Sequence, residues 1–437
     1  MTKRIGLALM VVVMLVTAGA VMVHGASSFS IQLGPETLVL SLPERQALDF
    51  MFGPPDGYLG VHRRHGTYTF FVPARSSSTT SCSTPNIQGT YRLGGSLTQF
   101  NNAYGCAASL KDGLEGNVEP NGYSFDRDYS GGGPVARLTL GGRSAILMVY
   151  HGEWHPGASC LSVPWFYGAL GMAVSTDQGA TFQSLGEIVQ PYPTRAQGLG
   201  TSSDCHNVHV GYGTLVLADA QGNELPRRER SNMDRGFFYV FYTDTDPTIA
   251  SGPCSGGAYC IALARARRAD VAAAAAAGDT AAFPSLFKKY YCSSPSGPCG
   301  FTEPGTGGDP DNATNSGHYT PLFAQAASQP TVLYDRTIKQ FLMAYQSAFQ
   351  LFIQASPNLL QWSGTPLPNG TLNESPSLLG YPTLVGEGSN PSIGGASPYL
   401  FYLSTVTSFP NWTSTQITQY GNSGANYVSR RIQISVP

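Results

Sequence analysis

The stretch GYLGVHRRHGTYTFF, residues 57–71, sets a pattern that recurs along the chain. It reads as a turn, a short strand, a tight turn at His65-Gly66, and an apolar strand rich in aromatics. Threonine and aromatic side chains fit a pleated, buried surface, and glycine supplies the turns. Four further units read alike: PVARL (134–138) with AILMVY (145–150); VHVG (208–211) with FFYVFY (237–242); PTVLY (330–334) with QFLMAY (340–345); and PSIG (391–394) with YLFYL (399–403). Their starts at 57, 134, 208, 330 and 391 lie 77, 74, 122 and 61 residues apart. No such unit covers both faces of its own sheet, so the units must pack around an axis. The expected fold is all-β, a five-bladed β-propeller forming one domain over residues 26–437. The long third interval holds an insertion at about 250–325, between blades three and four.

Composition agrees with a folded chain rather than a polyelectrolyte. The 437 residues carry 25 Lys+Arg and 27 Asp+Glu, a net charge of −2, which excludes a basic nucleic-acid binder. With 23 Tyr, 21 Phe and 4 Trp the chain is too aromatic to be disordered. One helix is predicted, over ARARRADVAAAAAA (264–277), closed by Gly278. Its Arg265, Arg267 and Arg268 read as a solvated arm.

Lys3 and Arg4 precede an apolar run from Ile5 to Val23, and Ala18-Gly-Ala20 or Val23-His-Gly25 suits cleavage. Residues 1–25 therefore read as a signal peptide, with an uncleaved anchor as the rival, and the protein as secreted. Its eight cysteines are an even number, as expected of disulfides in an exported chain. The local pairs Cys254/Cys260 and Cys292/Cys299 are favoured, then Cys82/Cys106. Spacings of five and six intervening residues argue against zinc.

STDQGATF (175–182) is a turn with its own chemistry. Asp177 is placed to accept hydrogen bonds from turn amides, Gly179 to adopt positive φ, and Phe182 to return the chain to the sheet. This segment matches the Asp box, S-x-D-x-G-x-T-F, and SPNLLQW (356–362) is a degenerate copy with Asn358 for the aspartate. The blade-edge segments FYGALGMAVSTD (166–177) and LFIQASPNLLQW (351–362) resemble five-bladed propeller glycosidases, the arabinanases, furanosidases and fructosidases. So do YTDTD (242–246), IALARA (261–266), YPTLV (381–385) and the closing Trp412 … Arg430-Arg431-Ile432. The Asp box is shared with six-bladed sialidases, the second resemblance, but the arginines show no sialidase spacing.

That resemblance implies carboxylates near the starts of the inner strands, facing an axial cavity. The positions that match are Asp56 in PDG, Asp126 and Asp128 in FDRDY, and Asp204 beside His206 in SDCH. The family's D-P and E-G-P signatures are missing. The residues themselves single out YHGEWH (150–155), which follows an apolar strand. If the chain stays extended, His151, Glu153 and His155 share one face. Trp154 would stack on a sugar, and its apolar wall would raise the pKa of Glu153 toward acid work. Two imidazoles and a carboxylate also suit zinc, but the spacing is not the helical H-E-x-x-H pattern. Asp244 and Asp246 end a strand and either hold calcium or cap a turn.

The expected protein is thus a secreted glycoside hydrolase of an extracellular or cell-wall polysaccharide, with Glu153, Asp128, Asp126 and Asp56 as acid/base candidates. His151, Trp154, His155 and His206 are the candidate sugar contacts. No cofactor is expected beyond a structural calcium ion, and no partner beyond carbohydrate: no nucleic acid, no membrane span after signal cleavage, and a monomer. The alternatives are a non-catalytic carbohydrate-binding propeller and a six-bladed sialidase.

Overall fold

The computed structural model describes residues 29–40, 57–75, 88–101, 103–105, 108–111, 124–154, 159–160, 163–164, 166–194, 208–246, 251–252, 254–294, 297–308, 316–374, 377–405 and 426–436, with Glu44, Gln197 and Ile249 singly. The signal segment, Asp56, His155, Asp204, His206, Cys82, Cys106, Cys205 and Trp412 lie outside them.

Strand β1 (Ser30–Leu40) belongs to the last blade and is best met there. Blade one is β2 (Gly60–Arg64), β3 (Thr67–Arg75), β4 (Gln88–Ser96) and β5 (Gln99–Asn101), with β6 (Ala108–Lys111) also on β4. Blade two is β7 (Tyr129–Leu140), β8 (Arg143–Trp154), β11 (Tyr167–Ser175) and β12 (Gln183–Val189). The small hairpin β9 (Ser159–Cys160) and β10 (Val163–Pro164) interrupts it. Blade three is β13 (Val208–Ala218), β14 (Phe237–Thr245), β15 (Cys260–Arg267), β16 (Lys288–Cys292) and β17 (Cys299–Pro304). Blade four is β18 (Ser328–Asp335), β19 (Gln340–Ser347), β20 (Gln350–Ser356) and β21 (Thr371–Leu372). Blade five is β22 (Leu378–Val385), β24 (Tyr399–Thr405), β25 (Asn426–Ser435) and finally β1, paired antiparallel to β25. The last blade is therefore sewn from both ends of the chain.

Why these sheets form a ring follows from the two-residue period of strands. In β8, Leu147 and Val149 face blade three, while Ile146, Met148 and Tyr150 face blade one. In β14, Phe238, Val240 and Tyr242 face blade two, and Tyr239 and Phe241 face blade four. Each middle strand is apolar on both sides because each side packs on a neighbouring blade. Among the described residues the apolar side chains gather into five clusters, each shared by two consecutive blades. One of them joins blade five (Val385, Phe401, Tyr427) to blade one (Val61, Phe70, Val72) and so closes the ring. Buried threonines stitch the inner strands: Leu384 N donates to Thr331 Oγ1 at 3.2 Å, and Leu59 N to Thr383 Oγ1 at 3.2 Å. A ring closed by five blades leaves no place for the six-bladed alternative.

Three expectations change in detail. The fifth unit's inner strand is β22, not Pro391–Gly394. Ile393–Gly394 is a short strand, β23, paired parallel to β18. The predicted helix starts at Arg268 and is α1 (Arg268–Ala277), ending on Gly278 at φ 64°. Residues 264–267 stay in β15 because Ala264 and Ala266 fill the core toward blade two while pairing with Val240 and Phe238. Arg265 is no solvated arm: its guanidinium lies 4.0 Å from the ring centre of Phe301 and 4.4 Å from that of Phe237. Third, the stretch between blades three and four supplies β15–β17, the outer strands of blade three itself, pinned by the expected disulfides Cys254–Cys260 and Cys292–Cys299.

The Ser175–Phe182 turn joins β11 to β12. Asp177 Oδ1 accepts from Thr181 N at 3.0 Å and from Ser175 Oγ at 2.8 Å, and Oδ2 accepts from Thr181 Oγ1 at 2.7 Å. Gly179 takes φ 81°. Burial alone would raise the Asp177 carboxyl, but these donors outweigh it and hold it below the usual range. Among the described residues no helix is long and apolar enough to cross a membrane.

Candidate active site

The inner strands β7 and β13 begin at one end of the ring, and their antiparallel neighbours β8 and β14 finish there at Trp154 and Thr245. Register places Glu153 opposite both Tyr129 of β7 and Gly168 of β11. Gly168 in turn sits opposite His209 of β13, through the short parallel pairing that joins blades two and three. The alternation along β8 then puts His151 and Glu153 on one face, as expected. His151 Nδ1 stands 3.8 Å from Glu153 Oε1, with side chains 7% and 12% exposed. Trp154 takes the opposite face. It is buried among Phe125, Tyr167 and Val208 in the core between blades one and two, so it is a packing residue and not a sugar platform.

Other rings surround His151. The His209 ring centre lies 5.0 Å from that of His151, and Tyr212 lies 5.7 and 5.3 Å from the two. Phe166 stands edge-on to both imidazoles. Tyr259, 45% exposed, reaches to 6.0 Å from His209. The Cys254–Cys260 disulfide closes the short loop that presents it. Two imidazoles fit here because the neighbouring backbone has no side chain. A Cβ on Gly168 would meet both His151 Nε2 and His209 Cδ2 at 2.8 Å. His209 is fully buried, and among the described residues neither ring nitrogen has a hydrogen-bond partner. Burial pushes its pKa down to about 4, so it is a neutral imidazole.

Tyr212 and Tyr381 adopt φ of 56° and 51°, strained for a non-glycine residue, and their rings meet at 5.4 Å. Both sit on bulges that recur in the inner strands: Gly132–Val135, Gly211–Thr214, Ser328–Thr331 and Gly380–Thr383. The sequence signal was available. GGPV, GYGT, SQPT and GYPT are one degenerate tetrapeptide, and in the last three its second position, Tyr212, Gln329 or Tyr381, takes positive φ.

The remaining candidates divide. Asp128 is half-buried, and its N–H donates to the Glu153 carbonyl at 3.0 Å, so it lies beside the Glu153 strand end. Asp126 is fully buried, accepting from Tyr150 OH at 3.0 Å and Ser124 Oγ at 3.2 Å, bonds that serve the fold. Asp244, on the side of β14 facing blade two, and Asp246, just past the end of that strand, are also buried. Among the described residues both Asp244 oxygens lack hydrogen-bond partners, and burial pushes this carboxyl up to about 8 against the opposing charge of Lys289. Lys289, itself pushed down to about 8 by burial, donates to Gln190 O, Ser316 Oγ (2.8 Å) and Gly317 O (2.9 Å). Calcium would need six to eight oxygens. Among the described residues no three histidine, cysteine or acidic side chains gather for a metal, and the positive charge near Asp244 is that of Lys289.

No family model matches the chain, and no curated protein matches it. Solved structures do. A GH62 hydrolase in complex with xylotriose aligns over 93% of this chain and 98% of its own, at 11% identity and a TM-score of 0.43. A family 117 glycoside hydrolase from Zobellia galactanivorans aligns over 94% and 92%, at 10% identity and a TM-score of 0.45. An α-L-arabinofuranosidase from Lactobacillus brevis aligns over 85% and 89%, at 10% identity and a TM-score of 0.40. The propeller assignment stands on the five sheets and five shared cores described above.

Proposed function

We propose that the protein is a secreted glycoside hydrolase whose reaction takes place at the mouth where the inner strands begin. The observation that carries this reading is the approach of Glu153 to His151 at 3.8 Å inside a wall of aromatic rings. Hydrolysis of a glycosidic bond needs a proton delivered to the leaving oxygen and a second carboxylate that activates water or attacks carbon. Glu153 is assigned the proton, and Asp128, bonded through its backbone to the same strand end, the second role. Asp126 is left out, because its oxygens are engaged by Tyr150 and Ser124. Asp56 precedes the first inner strand and remains a candidate from sequence.

Neutral His209 and the rings of Tyr212 and Phe166 form an apolar but hydrogen-bonding wall, suited to the faces of a sugar. The exposed ring of Tyr259 is placed to stack on a sugar at the entrance. The solved structures similar in fold are named as glycoside hydrolases and arabinofuranosidases, in keeping with this chemistry. Incubation of the purified protein with a panel of plant and microbial polysaccharides and aryl glycosides tests it. Release of reducing sugar from at least one is expected. Binding without release on every member would instead favour the non-catalytic carbohydrate-binding propeller.

A further inference from the structure

The opposite end of the ring has chemistry of its own. Arg137 lies eight residues beyond Tyr129 on β7, roughly 25 Å along the strand at about 3.3 Å per residue. There a cavity of about 470 Å³ opens between blades one, two and five. Its lining includes His62, Arg63 and Arg64 of β2, Arg137 of β7, Ser144 of β8 and Ser389. No carboxylate is among the lining residues, and among the described residues neither Arg64 nor Arg137 makes an ion pair. The nearby Glu387 carboxylate is taken by Arg431 at 3.3 Å, while Arg63 spends its guanidinium on the carbonyls of Glu387 and Gly388.

We propose that this cavity, framed by His62, Arg64 and Arg137, is a binding site for an oxyanion, of the kind carried by an acidic saccharide. Two guanidinium groups without an acidic partner, turned to one cavity, repel one another until an anion enters between them. Guanidinium groups match carboxylate and sulfate oxygens with paired N–H donors. Ser144 and Ser389 add hydroxyl donors at the rim. His62, 7% exposed, feels the same uncompensated field: its pKa is pushed down to about 4 by burial, then by the charges of Arg137 and Arg64. Arg137 is likewise lowered by burial and by Arg64. The volume is that of a small-molecule site, larger than one inorganic anion needs, which favours an acidic sugar unit such as a uronate.

Calorimetric titration of the full chain with sodium sulfate, sodium glucuronate and neutral glucose, at fixed ionic strength, tests the site. Saturable binding of glucuronate, of sulfate or of both is expected, with none for glucose, and with a saturable shift of the His62 ring resonance. Binding of both identifies a general oxyanion site, and glucuronate alone an acidic-sugar site. Arg64→Gln and Arg137→Gln should each weaken binding by at least ~10-fold, since each removes a charge-assisted contact. Arg143→Gln removes a nearby charge outside the cavity lining and should change affinity less than about two-fold. Glu153→Gln at the other mouth should bind normally, so the result stands apart from the proposed hydrolysis. No saturable binding of either anion, or equal affinity in Arg137→Gln protein of unchanged melting temperature, would overturn the proposal.

Discussion

His151 Nδ1 lies 3.8 Å from Glu153 Oε1, and Gly168 on the adjacent strand leaves the space in which His151 and His209 stand ring to ring. The three positions are fixed by strand register, so a change in any of them moves the others. Gly168→Ala places a methyl 2.8 Å from both imidazoles. Overpacking of this kind costs about 1–3 kcal/mol. The expected result is a lower denaturation midpoint together with a fall in turnover, whereas a variant with wild-type stability and rate would show that the two rings are not held by this contact.

The buried, neutral His209 makes stability depend on pH. Its folded pKa of about 4 lies below the ordinary 6.5, so between those values the unfolded chain binds a proton that the folded chain does not. Its contribution is complete above pH 6.5 and is lost as pH falls toward 4. The span corresponds to roughly 3 kcal/mol. Urea midpoints measured from pH 7 to pH 4.5 should fall more steeply for the native chain than for His209→Gln, and parallel curves would remove His209 from the account.

Lys289 is the buried cation between blades two and three. Lys289→Met keeps the bulk, but strips three acceptors of their donor and removes the positive charge that opposes the upward push on the Asp244 carboxyl. Leaving a buried acceptor without its donor costs about 1–3 kcal/mol, so a clear loss of stability is expected. The double variant Lys289→Met/Asp244→Asn should recover part of that loss. A midpoint unchanged in the single variant would mean that Lys289 is dispensable.

Asp177 gathers three donors in the β11–β12 turn, at the other end of β11 from Gly168. Asp177→Ala should destabilise by about 1–2 kcal/mol through those lost bonds, with kcat unchanged in the folded protein. A fall in kcat at unchanged stability would give the turn a part in the reaction.

How much of this was legible in the sequence depends on whether the signal was local. The strands around AILMVY and FFYVFY announce themselves because both faces are buried, and period-2 spacing alone brings His151 beside Glu153. Trp154 was misjudged by the same spacing: the next residue along a strand faces the other way, into the core. The fifth blade was misplaced because its inner strand contains Pro382 and a bulge, which break an apolar run. Tyr259 and His209 come together from blade three and its disulfide loop with no sequence signal that pairs them. The closing of blade five by β1 is equally non-local, since Ser30 meets Ser435 only in the folded ring.

The central claim, that Glu153 delivers a proton to a departing sugar oxygen, is tested most directly by Glu153→Gln on two substrates. One is a glycoside with a poor leaving group, and the other is an activated aryl glycoside of the same sugar. The amide keeps the shape beside His151 and cannot donate the catalytic proton. The rate on the poor leaving group should fall by about 10²–10⁴-fold, and that on the aryl glycoside far less. Equal, small losses on both substrates would contradict the assignment.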